Sequence, residues 1–170
     1  MKTIAILNLK GGTAKTVTAA TMARCLSAEY SESVVLIDAD QQGNLSQYFG
    51  VTDTSQCGNT WTILTDGGGY WPDFVTPISP TLDLIPSGME LARADLPNSG
   101  ARVTQIEELR TVLAEDGVRY LIIDLPPSLG FVVQASLLAA DEVIIPIRLD
   151  TFSTAGMAEL ARQVDDMRSI

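Results

Sequence analysis

The run Thr3-Ile-Ala-Ile-Leu-Asn-Leu-Lys-Gly-Gly-Thr-Ala-Lys-Thr16 decides the fold: an apolar stretch, a glycine turn, then a lysine and a hydroxyl at the head of a helical pattern. A strand feeding a glycine-rich turn and a helix aims several backbone N–H groups one way, and the helix dipole adds partial positive charge there. That geometry grips a β-phosphate. Lys15 offers an ammonium for the β- and γ-phosphates, and Thr16 a hydroxyl for Mg²⁺. The usual spacing is Gly, four residues, Gly-Lys-Ser/Thr. Leu9 and Ala14 stand at the two glycine positions, so the strict pattern fails and a Gly-Gly turn that merely precedes a lysine competes with it.

Working outward, further apolar, β-branched runs stand at Val34–Ile37, Leu82–Pro86, Tyr120–Ile123 and Val143–Ile147. Like Thr3–Leu9, most read as strands buried on both faces. Between them, apolar residues fall at three-and-four spacing: Ala19, Met22, Ala23, Leu26 and Tyr30; Val103, Ile106, Leu109 and Leu113; Met157, Leu160, Ala161 and Val164. Strands alternating with helices predict βαβ units, hence a doubly wound, mostly parallel α/β sheet with helices on both faces. Asp53–Pro80, with Gly67-Gly-Gly69 and prolines at 72, 77 and 80, predicts short helical turns in a long excursion. The chain has 170 residues, 46% of them apolar, which fits one domain with a real core, residues 1–170. A helix beginning near Ser153 runs toward Ile170 with no Gly or Pro stop, so the domain is expected to be C-terminally short, most of one rather than all of it.

Two acidic strand ends complete the pattern. Val34-Val-Leu-Ile-Asp-Ala-Asp-Gln-Gln-Gly-Asn44 closes a strand with Asp38 and Asp40, which alternation puts on one side of the chain. In parallel sheets ligands bind at that edge. Two anions so placed call for a cation, Mg²⁺ or a lysine; a solvated turn is the plainer alternative. Tyr120-Leu-Ile-Ile-Asp124 likewise ends four apolar residues in a carboxylate that could hold a Mg²⁺-bound water.

With Lys10 opening the loop, Lys-Gly-Gly-x-x-Lys-Thr is the deviant Walker A form, and the chain resembles the ParA/Soj-type partition ATPases of the wider MinD/ParA group of P-loop NTPases. The resemblance covers nearly the whole chain. Asp38 to Asn44 is similar to the family's Asp-x-Asp-Pro-Gln-Gly-Asn box, and Asp124-Leu-Pro-Pro-Ser-Leu-Gly130 to its switch segment, with Pro126 and Pro127 beside the γ-phosphate. It implies an ATP- and Mg²⁺-dependent switch that binds ATP or ADP, dimerises face to face with ATP and hydrolyses it slowly. On that match Lys10, Lys15 and Asp40 are catalytic: Lys10 reaches the partner's nucleotide and Asp40 orients the attacking water. Lys10, Gly11, Gly12, Thr13, Ala14, Lys15, Thr16 and Val17 bind nucleotide. Thr16, Asp38 and Asp124 serve the metal. A ParB-like centromere-binding partner and a cytoplasmic location are implied with it.

Four positions depart from the family pattern: Ala14 for glycine, Val17 for threonine, Gln41 for proline, and Leu9 where a polar residue is frequent. Ala14 matters most, since a Cβ there could crowd the backbone near the phosphates.

Composition excludes several classes. With 21 acidic and 11 basic residues the net charge is −10, so bulk attraction to DNA is not supported, although a full-length form could carry a basic surface elsewhere. The chain has no histidine, which removes His-based triads and zinc knuckles. Cys25 reads as a small core residue on an apolar helical face and Cys57 as an incidental loop thiol. The longest uncharged run, Leu125–Ala140, is broken by Pro126, Pro127 and Gly130 and cannot cross about 30 Å of hydrocarbon. Nor does Ala155–Ile170 carry the cations of a membrane-surface helix.

Two other functions fit the same residues: a nucleotide-binding module without turnover, and a metabolic synthetase on the same loop, related to dethiobiotin synthetase. The synthetase would not need Lys10.

Overall fold

Alternate residues of each central strand enter two separate cores. In β1 (Lys2–Ile6), Ala5 faces one core and Ile6 the other. In β2 (Val34–Asp38), Val35 and Ile37 oppose Val34 and Leu36, and in β5 (Tyr120–Asp124), Leu121 and Ile123 oppose Ile122. Such runs must be covered on both sides, which is why the strands read as continuous apolar segments. The computed structural model describes residues 1–52, 58–66, 70–147 and 153–168, excepting the side chains of 153–157 and 168.

The remaining described elements are α1 (Lys15–Tyr30), α2 (Asn44–Tyr48), α3 (Thr60–Asp66), β3 (Thr76–Ser79), β4 (Leu82–Ile85), α4 (Gln105–Glu115), α5 (Phe131–Ala139), β6 (Glu142–Ile144) and α6 (Ser153–Arg168). Single 3₁₀ segments lie at Trp71–Phe74 and Met89–Asp95. The sheet order is β3-β4-β2-β5-β1-β6, parallel except for β3, which pairs antiparallel with β4 at the edge. Helices α1 and α2 cover one face through Ala19, Ala20, Ala23 and Leu45. Helices α3, α4, α5 and α6 cover the other through Ile63, Leu109, Val133 and Leu160. The sheet is therefore an α/β doubly wound layer, as the alternating pattern predicts.

The strand after α1 lies on one side of β1 and the strand after α5 lies on the other side of β5, so the two crossovers diverge above the β1–β5 pair. In open α/β sheets ligands bind in the crevice at such a switch point, beyond the carboxyl ends of the strands.

Several expectations change in detail. β3 carries only four residues with Pro77 among them, which suits an edge and hides the strand from a pattern search. Helix α5 was unpredicted because it is apolar nearly all round and shows no single stripe. Tyr30 is exposed at the end of α1, and Val103 lies in the turn before α4 rather than on its buried face. Cys25 is half-buried rather than core: burial and the adjacent Glu29 carboxylate push its thiol pKa up. Cys57 and Gly67–Gly69 lie outside the described residues. Among the described residues no helix is long and apolar enough to cross a membrane.

Candidate functional site

The chain leaves β1 at Ile6, turns through residues 7–14 and enters α1 with no side-chain cap at its first turn. The orphan N–H groups there have no capping side chain and sit at the positive end of a 16-residue helix. Side chains shape the loop from within. Asn8 Oδ1 accepts the Lys10 N–H at 2.9 Å, and the buried Thr13 hydroxyl donates to the Lys10 carbonyl at 3.2 Å.

Ala14 is left-handed, with φ 66° and ψ 27°. A Cβ in this region costs roughly 1–2 kcal/mol. The glycine of the usual pattern thus serves the backbone turn, and Ala14 holds the same turn under strain. Sequence reasoning attributed the glycine to close approach of phosphate; the dihedral supplies a second cause.

A cleft of about 490 Å³ opens above this turn, lined on one side by Gly11, Gly12, Thr13, Ala14, Lys15, Thr16 and Val17 and on the other by Asp40, Gln41, Pro126 and Pro127. Seven of the loop positions chosen from sequence therefore meet Asp40 in one place. Asp40 is half-buried, and its Oδ1 accepts the Gln42 N–H at 3.0 Å in a tight turn. Lys10 lies exposed outside the cleft lining.

Asp38 and Asp124 lie beneath the cleft and do not line it. They are register partners at the ends of β2 and β5, with 0% and 1% of their surfaces exposed. Asp38 Oδ2 accepts both the Ser46 N–H and the Ser46 hydroxyl at 2.7 Å. Among the described residues Asp124 makes no well-formed hydrogen bond on either oxygen, and the groups that favour its charge are the Thr16 hydroxyl and the Lys15 ammonium. Burial lifts the Asp124 carboxyl to about 7; the Asp38 and Asp40 charges add to that rise, while the Thr16 hydroxyl and the Lys15 ammonium oppose it. Burial also raises Asp38, against the lowering effect of its Ser46 hydrogen bonds. An unpartnered buried carboxylate beside a hydroxyl and a lysine has the chemistry of a divalent-cation site.

Three contributors escaped sequence reasoning. Ser46 and Thr60 secure the β2 end: Ser46 Oγ also accepts the Ser87 N–H at 3.1 Å, and Thr60 Oγ1 donates to the Asp38 carbonyl at 2.8 Å. Asp95 accepts the Phe131 N–H at 2.6 Å and so anchors the chain just beyond Pro126–Gly130. An isolated Ser, Thr or Asp carries no spacing signal. Asn44-Leu-Ser46 following an acidic strand end was the only available clue.

A phosphate loop at a sheet switch point, with an orphan acidic strand end beside it, defines a P-loop nucleotide-binding protein. The comparisons agree. The AAA domain family matches residues 1–170. The chain is 34% identical to the sporulation initiation inhibitor protein Soj of Bacillus subtilis, over 96% of this chain and 64% of Soj. It is also 34% identical to a ParA family protein of Chlamydia trachomatis, over 99% of this chain and 67% of that protein. Among solved structures, cobyrinic acid a,c-diamide synthase from Mycobacterium smegmatis, with bound ATP analogue and magnesium, matches at TM-score 0.86 and 28% identity, over 100% of this chain and 69% of that one. A plasmid partition protein from Borrelia burgdorferi matches at 0.84 and 26%, over 98% and 74%.

The chain belongs to the ParA family of AAA domain proteins. It spans 64% of the length of Soj and of the Caulobacter vibrioides ParA protein.

Proposed function

We propose that this chain is the nucleotide-handling part of a ParA-type switch, which binds ATP with Mg²⁺, pairs with a second copy in that state, hydrolyses ATP slowly and releases. Residues 1–170 act as one domain in the cytoplasm, serving plasmid or chromosome partitioning. One observation carries the reading: the orphan Asp124 carboxylate sits within electrostatic reach of Lys15 and Thr16, at the foot of an uncapped helix. A carboxylate buried at that energetic cost fits a site completed by a cation.

The roles follow from position. Backbone N–H groups of Gly11 to Val17 cradle the phosphates, and Lys15 spreads positive charge over the β- and γ-phosphate oxygens. Thr16 and Asp124 would hold Mg²⁺, Asp124 through a water, with Asp38 fixing the strand end behind them. When bound, the ion neutralises charge on the same oxygens. Asp40, at the cleft, orients the water that attacks the γ-phosphorus as the bond to the bridging oxygen breaks. Lys10, exposed outside the cleft, acts across the dimer on the partner's nucleotide. A ParB-like centromere-binding protein would be its partner. The net charge of −10 gives DNA no general foothold on this chain.

Steady-state ATP turnover tests this: Lys15→Ala and Asp40→Ala should each abolish it, and size-exclusion chromatography should give an ATP-dependent dimer that persists longer in Asp40→Ala. Unchanged turnover in both variants sinks the proposal. Mg-ATP binding without phosphate release supports instead a non-hydrolysing module, for which strain at Ala14 is the specific motive. A synthetase has its own support in the M. smegmatis neighbour and in a furrow continuing the cleft past Gln41, Pro126 and Ser128 toward Asp95. Full activity in Lys10→Ala would favour it.

A further inference from the structure

Asn8 is absent from the set of loop residues chosen by pattern, yet its side chain ties the loop to the segment that follows β6. Its Oδ1 accepts the Lys10 N–H at 2.9 Å while its Nδ2 donates to the Pro146 carbonyl at 2.7 Å. Only one orientation of the amide satisfies both partners, an N–H on one side and a C=O on the other. Pro146 follows β6, so the bridge joins the start of the phosphate loop to the outer strand across 138 residues of sequence. The Thr13 hydroxyl holds the Lys10 carbonyl from the other side, so both backbone polar groups of Lys10 are bonded to side chains. With its flanking peptides held, the direction in which the Cα–Cβ bond of Lys10 leaves the loop is fixed as well.

We propose that Asn8 is a positioning residue for Lys10, aiming the exposed lysine away from its own cleft, and that its second bond makes that aim depend on the segment Ile145–Ile147 that follows β6. The proposal rests on the reading of Lys10 as a lysine that acts on nucleotide across a dimer. The side-chain requirement is narrow. Aspartate keeps the acceptor for the Lys10 N–H but sets a carboxylate against the Pro146 carbonyl, and alanine loses both bonds. Leucine at the next position offers neither group, so Asn8 alone in this stretch can make the bridge.

The test uses the full chain with Asn8→Ala, Asn8→Asp, Lys10→Ala and the Asn8→Ala/Lys10→Ala double variant. Solvent exchange of the Lys10 amide, read by NMR, should speed up about tenfold in Asn8→Ala and stay near wild type in Asn8→Asp. The amides of Ile145 and Ile147 should loosen in both variants. Binding of a fluorescent ADP analogue, which needs no dimer, should stay within about twofold in Asn8→Ala, while turnover at saturating ATP falls about tenfold. In the Lys10→Ala background the same substitution should remove nothing further, because a residue acting through Lys10 has no effect once the lysine is gone. Losses that multiply, or an unaltered Lys10 amide in Asn8→Ala, overturn the proposal. Should Asn8→Ala fail to fold, Asn8→Asp decides: loss of the Pro146 bond should lower turnover part of the way with the Lys10 amide still protected, and unchanged turnover beside loosened Ile145 and Ile147 amides overturns the proposal. A wild type without turnover defeats the ATPase reading instead, and the exchange rates alone then judge whether Asn8 holds Lys10.

Discussion

The ends of β2 and β5 are neighbours in register and alike in burial, yet they treat the same functional group in opposite ways. At β2 the Asp38 carboxylate is consumed by the fold: two donors from Ser46 reach one oxygen, and Thr60 takes the carbonyl behind it. At β5 the Asp124 carboxylate has only the favourable influence of the Thr16 hydroxyl and the Lys15 ammonium, with no well-formed hydrogen bond among the described residues. Each such group in a native structure calls for an explanation, and a bound ion is one. The pair therefore separates what the sequence presents as one acidic cluster: Asp38 is bonded into the fold, whereas on the proposed function Asp124 serves a cation.

The strongest test of that division is Asp124→Asn. It should lower ATP turnover by about 10³-fold, as loss of a single preorganised electrostatic contact does elsewhere, and at pH 7.5 without Mg²⁺ it should raise the thermal midpoint, because a buried charge disappears. Turnover that survives together with a lowered midpoint would mean that Asp124 is structural like its neighbour. Asp38→Ala should behave in the reverse sense. Removing the acceptor strands the Ser46 N–H and hydroxyl in the interior, and urea denaturation should report a loss of about 3 kcal/mol. Ser46→Ala keeps the backbone bond to Asp38 but strands the Ser87 N–H as well as removing the hydroxyl bond, so it should lose about 2 kcal/mol. A loss near zero in Ser46→Ala would show that the hydroxyl does not hold the β2 end.

The contrast also has a pH signature. Asp124 titrates at about 7 in the folded chain against an ordinary 3.8. Between those values the folded chain holds a proton that the unfolded chain has released, so stability falls as pH rises through that window. From pH 5 to 7.5, in EDTA, this one group should remove about 2.5 kcal/mol of unfolding free energy. Asp124→Asn should flatten the slope without abolishing it, because Asp38 is raised in the same direction. A slope identical in wild type and variant would place the titration elsewhere.

Much of this was legible beforehand, for reasons that differ from element to element. The central strands announced themselves because burial on both faces leaves only apolar residues. The loop was visible because the phosphate-loop pattern sets glycine, lysine and a hydroxyl in fixed order between a strand and a helix. By contrast Asp38 and Asp124 look alike in sequence; what separates them is Ser46, eight residues along and one turn into α2, whose two bonds exist only after folding. Asn8 was hidden for the same reason, since its partner at Pro146 is a backbone carbonyl that no sequence pattern marks. Helix α5 and strand β3 escaped because one is apolar on every side and the other is a short edge.

The smallest effect concerns how the two helices above these strand ends begin. Both α1 and α2 are entered through a left-handed residue, Ala14 at φ 66° and Gly43 at φ 63°. Glycine occupies that conformation freely, whereas alanine is pressed by its Cβ against the following carbonyl. Ala14→Gly should therefore relieve strain, but glycine also frees the unfolded chain, so the net gain in stability should be only about 0.5 kcal/mol. Gly43→Ala should lose roughly 1 kcal/mol by the same logic run backwards. If relaxing the loop matters to phosphate, Ala14→Gly should also tighten binding of the fluorescent ADP analogue by about two- to threefold, while Gly43→Ala leaves the phosphate loop itself untouched. A stabilised Ala14→Gly protein with unchanged affinity would separate the two causes. The glycine of the usual loop would then serve the turn alone, and the Cβ of Ala14 would not obstruct the phosphate.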